Sequence, residues 1–276
     1  MPELPEVETI ANGLNARVAG EVIESVWLGK KPEPLKSPAK EIARTLDGAR
    51  IQKVRRVGKH IVFDLQREKQ KAQWIVHLGM SGRMVIAEPD AEIAKHTHAI
   101  AKLASGKELR FVDPRRFGRL SVVSANEKAK SPEGFTGPGS EPLTISQGDF
   151  AALFHKHNTP IKAALLNQKL LHGVGNIYAD ESLYRAGIRP RRKAGSLTKA
   201  ELAKLHSAVR TVLQEAIKLG GSSVSDYVDA SGEEGFFQLQ HRVYGRTNAY
   251  CYVCNTPIKR IVVGGRGTHY CPKCQR

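Results

Sequence analysis

Acidic residues are in short supply in this sequence. Across 276 residues, 27 Asp and Glu stand against 43 Lys and Arg, a formal charge of +16 at pH 7. A deficit of that size gives the surface a positive field that attracts polyanions, so nucleic acid or an anionic membrane is the expected partner. A basic amphipathic helix with an aromatic face is missing, which argues against the membrane surface. Apolar runs of transmembrane length are missing too, as is a leader with a charged start, an apolar middle and a small-residue end. A cytoplasmic protein is therefore expected. Cysteine is scarce, with four in the chain. In a reducing compartment these are not expected to form structural disulfides, which turns attention to metal. Internal repeats and long low-complexity tracts are also lacking.

What is present is ordinary for a globular protein, with 41% hydrophobic and 25% charged residues, and the length favours two compact domains. Val7, Ile10, Ala11, Leu14 and Val18 recur at helical spacing behind Pro5, and Gly20 supplies a stop, so one amphipathic helix begins near Pro5. Short segments of β character follow: "EVIESVWL", "RIQKVRRVGKHIVFDL", "WIVHLGM", "RMVIA", "AIAKL", "ELRFVD" and "LSVV". Turn signals separate them, so residues from about 20 to 123 read as a β-sandwich or barrel. "SANEKAKSPEGFTGPGSEPLTISQGDF" is rich in Gly, Pro and Ser and holds the domain boundary. Beyond it "SQGDFAALFHKH", "TPIKAALLNQKL" and "GNIYADESLYRAG" read as helices. A longer helix opens on Thr198 and Glu201 in capping-box spacing and ends at Gly220 and Gly221. The polar loop "GSSVSDYVDASGEEG" then leads to the cysteines.

Cys251-x2-Cys254, sixteen residues, then Cys271-x2-Cys274 is the spacing of two knuckles around a tetrahedral Zn²⁺. The residues between read as strand, Gly-rich turn, strand. Redox or disulfide cysteines are the alternative. Four thiolates leave no open coordination position, so the metal is expected to fold the hairpin and not to catalyse. Arg266, at the turn, would be a cation on a rigid protrusion or simply a solvated turn residue. In "LLHGVGNIYADE" a Gly-rich turn precedes a helix, where backbone amides, Asn176 and Lys162 could meet a phosphate. A tight turn without a ligand explains the same residues equally well.

Lys59 stands beside Arg55 and Arg56 on a predicted strand, a pattern that a solvated strand edge also gives. "HLGMSG" and "DPRRFG" place bulky residues in glycine-bounded loops. Met80, Arg115 and Phe117 could enter a duplex and fill the space of an extruded base. On these residues alone, a buried Met and Phe with a surface Arg is the more frequent arrangement. The opening "MPELPEVETI" raises a chemical possibility. Removal of Met1 would leave Pro2 as a secondary amine, and a terminal amine titrates near pH ~8, far below lysine. A neutral amine can attack a sugar carbon and form an iminium, with Glu3 shuttling protons.

"PELPEVET", "HLGMSG", "DPRRFG", "GVGNIYADE", "VYGR" and the four-cysteine finger, in this order from end to end, resemble the bacterial formamidopyrimidine-DNA glycosylase family, also called 8-oxoguanine DNA glycosylase. The resemblance implies an α+β multidomain fold. It would comprise an N-terminal β-sandwich with its terminal helix (1–132), a linker (133–149), a helix-two-turn-helix domain with a lesion lid (150–237) and a β-hairpin zinc finger (238–276). It implies a base-excision-repair glycosylase and AP lyase that acts on oxidised purines and abasic sites in double-stranded DNA held between the two domains. Pro2 would form the Schiff base, followed by β- and δ-elimination, with Glu3 moving protons, Glu6 supporting the site and Lys59 contacting phosphate near the lesion. Met80, Arg115 and Phe117 would fill the void, reversing the reading of those residues alone. Lys162, Asn176 and Arg266 would contact DNA, Glu181 matches its local string, and Cys251, Cys254, Cys271 and Cys274 would hold one structural Zn²⁺. A monomer at the nucleoid is expected, since one cleft spans one duplex.

Departures from the family pattern are His60, where tyrosine is common after the lysine, and "GPGSEPL" in the linker. A sister enzyme for oxidised pyrimidines usually has glycine where Leu4 stands here. A zinc-finger DNA-binding protein without catalysis would explain the charge and cysteines but not the terminal Pro-Glu motif.

Overall fold

The computed structural model describes residues 1–124, 134–223 and 234–276. They form two compact units, one of residues 1–136 with 220–235, the other of 137–219 with 236–276.

The first unit opens with helix α1 (Leu4–Val18), capped by Glu3 with Pro5 in its first turn. Proline is tolerated there because a first-turn amide has no helical acceptor. Leu4, Val7, Ile10, Ala11, Leu14 and Val18 turn one face inward, and Gly20, at φ +90°, follows its end as expected. Two four-stranded antiparallel sheets carry the rest. One has the order β1 (Ile23–Leu28), β6 (Thr97–Leu103), β7 (Glu108–Val112), β5 (Arg83–Ala87). The other runs β2 (Arg50–Val57), β3 (His60–Arg67), β4 (Gln70–His77), β8 (Arg119–Ser124). Apolar residues of both sheets and of α1 share one core, with Phe63, Trp74 and Phe111 among its largest members. The expected β-sandwich with a terminal helix is therefore present.

Two local features differ from expectation. Helix α2 (Ala39–Leu46) lies in a stretch read as entirely β. It buries only Ile42 and Leu46, one i,i+4 pair, too little periodicity to announce a helix. Lys59 is not on a strand. Val57 pairs with His60, so Gly58 and Lys59 form a two-residue hairpin turn whose first position is a glycine at φ +60°.

The second unit contains α3 (Gln147–Phe154), α4 (Ile161–Leu166), α5 (Asn176–Ala186) and α6 (Lys199–Lys218). The Thr198–Glu201 capping box starts α6 as read from sequence. Helix α4 is shorter than expected because Asn167 leaves helical geometry and its Oδ1 accepts the Lys169 N–H at 3.1 Å, a local turn that competes with the helix. Strands β9 (Lys259–Val263) and β10 (Arg266–Tyr270) form the C-terminal hairpin around Gly264 and Gly265, both at positive φ. Arg266 thus opens β10, one step past the turn.

The segment expected as a linker is described from 134 onward and divides between the units at 136/137. From 137 it is fixed rather than free: Ser140 N–H donates to Leu170 O at 3.0 Å, and His172 N–H to Ser140 O at 3.0 Å. The expected lid falls mainly on 224–233, outside the described residues, and its stem groups with the first unit rather than with the helical domain.

Candidate active site

At the N-terminus, helix capping fixes Glu3 and Glu6. Glu3 and Glu6 are 4% and 2% exposed, and Pro2 is half-buried. Glu3 N–H donates to Glu6 Oε2 at 2.8 Å while the Glu3 side chain accepts the Glu6 amide, a reciprocal box with glutamate in the usual Ser/Thr position. Carboxylates are favourable at this end of a helix, where unpaired amides carry partial positive charge. The second Glu6 oxygen, Oε1, accepts the Ser222 N–H at 2.8 Å. One carboxylate therefore joins the terminus to a stem 216 residues away in sequence. That stem is built on close backbone approach. A Cβ on Gly221, at φ +85°, would fall 2.9 Å from Glu6 Cγ, and one on Gly235 would fall 2.4 Å from Gly221 O. Gly235 N–H also donates to Ser223 Oγ at 2.9 Å. Met1 is exposed and acylates the Pro2 nitrogen, so the amine exists only once Met1 is removed.

Of the cations near Lys59, Arg55 pairs with Asp64 at 2.7 Å and Arg56 with Glu8 at 2.5 Å. Lys59, in its turn, is itself only 8% exposed. His60 sits 4.9 Å ring to ring from both His77 and Phe135. Burial first, then the charges of His60, Arg119 and Lys59, lower the His77 pKa to about 4. Its Nδ1 accepts the Gly79 N–H at 3.1 Å, a role open only to the unprotonated atom.

Met80 and Phe117 are 45% and 54% exposed, so neither is the core residue that its type alone suggests. Arg115 is exposed, and its guanidinium lies 5.0 Å from the Phe117 ring centroid. Neighbouring Arg116 instead pairs with Glu33 at 2.6 Å.

In the second unit Lys162 is fully buried. Its ammonium meets Asp180 Oδ1 at 2.7 Å, Thr268 Oγ1 at 2.8 Å and Gly267 O at 2.9 Å. The expectation that Lys162 contacts DNA directly is therefore corrected: the charge is enclosed and braces the finger hairpin against α4 and α5. Asn176 opens α5 and donates from Nδ2 to the same Gly267 carbonyl at 3.1 Å. Arg266, next to it, is exposed. Glu181 is buried and accepts the backbone amides of Arg242, Val243 and Tyr244 at 2.8–3.0 Å. Burial raises its pKa against those three hydrogen bonds. Asp180 and Ser222, both central to these networks, carry no local sequence signal and were not anticipated.

The four cysteine sulfurs lie within 4.8 Å of one another, with Cys251–Cys274 at 3.8 Å and Cys254–Cys271 at 3.4 Å. Zn–S bonds of about 2.3 Å in a tetrahedron put sulfurs about 3.8 Å apart, so the donor set fits Zn²⁺. Val243, Ile258 and Tyr184 pack around it. The finger holds one structural zinc.

A proline-headed sandwich, a glycine turn before a helix and a Cys₄ hairpin on a strongly basic chain are the working parts of a base-excision DNA glycosylase. Residues 1–120 match the formamidopyrimidine-DNA glycosylase N-terminal domain, 137–228 its H2TH domain, and 251–276 the zinc finger found in FPG and IleRS. A Bacillus subtilis formamidopyrimidine-DNA glycosylase is 41% identical over 278 residues, covering 100% of this chain and 99% of its own. A mutant Lactococcus lactis FPG in complex with Fapy-dG containing DNA is 35% identical with a TM-score of 0.89, each chain covered fully. The Lactococcus lactis Fpg with abasic-site DNA is 35% identical with a TM-score of 0.88, covering 99% of each chain. This chain belongs to the formamidopyrimidine-DNA glycosylase family. No helix among the described residues is long and apolar enough to cross a membrane.

Proposed function

We propose that this protein excises oxidised purines, 8-oxoguanine and formamidopyrimidines, from double-stranded DNA and then cleaves the strand, with Pro2 as nucleophile. The observation that carries the assignment of Pro2 is the Glu3–Glu6–Ser222 network: Glu6 accepts the Glu3 N–H, the amide that follows Pro2, and is itself held by the Ser222 N–H. After Met1 is removed, the Pro2 lone pair attacks C1′, and the glycosidic bond breaks with its electron pair leaving on the base. Glu3 takes the proton from the new ammonium, the nitrogen lone pair then opens the C1′–O4′ bond to give the iminium, and Glu3 returns that proton to the ring oxygen. The iminium then acidifies the C2′ proton, so the 3′-phosphate leaves by β-elimination. Loss of the 5′-phosphate by δ-elimination follows, and water frees the amine.

Glu6 is the support of that terminus. Lys59 neutralises phosphate near the lesion, and exposed Met80, Arg115 and Phe117 occupy the space of the extruded base. Asn176 and Arg266 contact the backbone of the duplex, while Lys162 positions them through Gly267. The protein acts as a monomer in the bacterial nucleoid, with its +16 charge giving steeply salt-dependent binding.

The test is borohydride trapping on a duplex with one 8-oxoguanine opposite cytosine, with the adduct mapped by mass spectrometry. A lesion-dependent adduct on residue 2, lost or strongly reduced in Pro2→Gly, is expected. An adduct on a lysine, or none from Met1-processed, zinc-loaded protein, would overturn the assignment.

A further inference from the structure

Asp113 is completely buried beneath the loop that presents Arg115 and Phe117, and both of its oxygens are engaged. Oδ1 accepts the Ser81 hydroxyl at 2.7 Å and the Arg115 N–H at 3.2 Å, while Oδ2 accepts the Gly118 N–H at 2.7 Å. Ser81 is the neighbour of Met80, so one carboxylate ties together the two loops that bear the exposed side chains. Its own backbone is pinned as well: Asp113 N–H donates to His96 O at 3.0 Å, and His98 Nε2 meets Asp113 O at 3.0 Å. The loops also touch backbone to backbone. A Cβ on Gly79, at φ +64°, would fall 2.6 Å from Gly118 N and from Phe117 C. A Cβ on Gly118 would fall 2.5 Å from Phe111 Cζ. Loops from two different strand connections are thereby fused into one body.

We propose that Asp113 is the positioning residue of a preassembled wedge, and that its carboxylate governs how well the enzyme extrudes a lesion and discriminates the base opposite. The inference rests on the reading that Met80, Arg115 and Phe117 fill the gap. Inserting side chains into a stack is costly, and a wedge that first had to order itself would subtract that entropy from the gain on insertion. Fixing both loops before DNA arrives removes that loss. A charged acceptor suits the task because only a carboxylate can receive all three donors at once.

The experiment compares Asp113→Asn, Ser81→Ala and Phe117→Ala in the full zinc-loaded chain. Single-turnover excision is measured on duplexes with 8-oxoguanine opposite C or A. Borohydride trapping is measured on a single strand with an abasic site, which has no opposite base and no stack to fill. Asp113→Asn keeps the shape but turns one oxygen into a donor facing an N–H or O–H. It is expected to slow duplex excision about 10- to 100-fold, the worth of one charge-assisted hydrogen bond. It should also narrow the C-over-A preference and leave single-strand trapping within roughly threefold. Ser81→Ala should show the same pattern in smaller measure, and serves if the Asn variant does not fold. Equal losses on duplex and single strand would overturn the proposal, since the damage would then be to the fold or the nucleophile. Native duplex rates in Asp113→Asn or, where that variant does not fold, in Ser81→Ala, beside an impaired Phe117→Ala, would overturn it while sparing the void-filling reading. A fully active Phe117→Ala would refute that reading itself.

Discussion

Replacing Glu6 by glutamine removes almost no volume and deletes a charge at the junction between terminus and stem. Glu6 is 2% exposed, and its two oxygens each accept one backbone N–H at 2.8 Å, from Glu3 and from Ser222. Glutamine offers a single acceptor oxygen, so one of those amides must face an NH₂. An unsatisfied buried donor costs about 1–3 kcal/mol, and the surviving bond loses its charge assistance, roughly half its strength. A total of about 2–4 kcal/mol follows, which in a chain of this size lowers Tm by roughly 4–15 °C. To the extent that the loss falls on the placement of Pro2, each about 1.4 kcal/mol slows iminium formation tenfold, so trapping should fall about 30- to 1000-fold. Calorimetry and rapid-quench borohydride trapping measure the two parts. Gly221→Ala provides an independent approach to the same carboxylate, since its Cβ would sit 2.9 Å from Glu6 Cγ at a positive φ. If both changes act through one contact, their combined effect should be well below additive. A Glu6→Gln protein with native Tm and native trapping rate would refute the reasoning.

Chelating the zinc should melt the finger, because Val243, Ile258 and Tyr184 cluster with the four cysteines, and should abolish DNA binding while the sandwich keeps its far-ultraviolet signal; retained affinity in metal-free protein would contradict this. His77, held near pKa 4 by burial and neighbouring cations, binds its proton more weakly folded than unfolded, at an ordinary 6.5. Its contribution to stability is therefore complete above pH ~6.5 and is lost as pH falls towards 4, roughly 2 kcal/mol by pH 5. An imidazole NMR titration of His77 with a midpoint near 6.5 would be inconsistent with that environment.

The periodic and punctuated parts of the chain were readable in advance. Helix α1 showed its buried stripe behind Pro5, α6 its Thr198–Glu201 box, and the finger its cysteine spacing, because each signal is local. What escaped notice was set by contacts across long sequence separations or by elements too short to be periodic. Lys59 moved from strand to turn because the β2–β3 register puts Val57 opposite His60, which residue types alone do not specify. Lys162 reads as a surface cation from its helix, and Asp180, Thr268 and the Gly267 carbonyl explain how its charge is carried inside. Ser222 contributes a backbone amide to the terminus, and an amide leaves no trace in residue identity. The exposure of Met80 and Phe117 runs against their composition and was foreseen through the family resemblance alone.

The glycine stem at 220–221 and 235 isolates the terminus from the span that it encloses. Gly235 lies against the Gly221 carbonyl, so the two ends of the span between them are held together. Closing a longer loop across fixed ends adds only slowly to its entropic cost, about 0.6 kcal/mol per doubling. Sequence and length between those ends can thus drift, be inserted or be exchanged while Glu6 keeps its grip on the amide of residue 222 and the terminus keeps its geometry. Exchanging the span between the glycines is therefore expected to leave borohydride trapping at residue 2 unchanged, whereas a change at either glycine is expected to reach the terminus through Glu6.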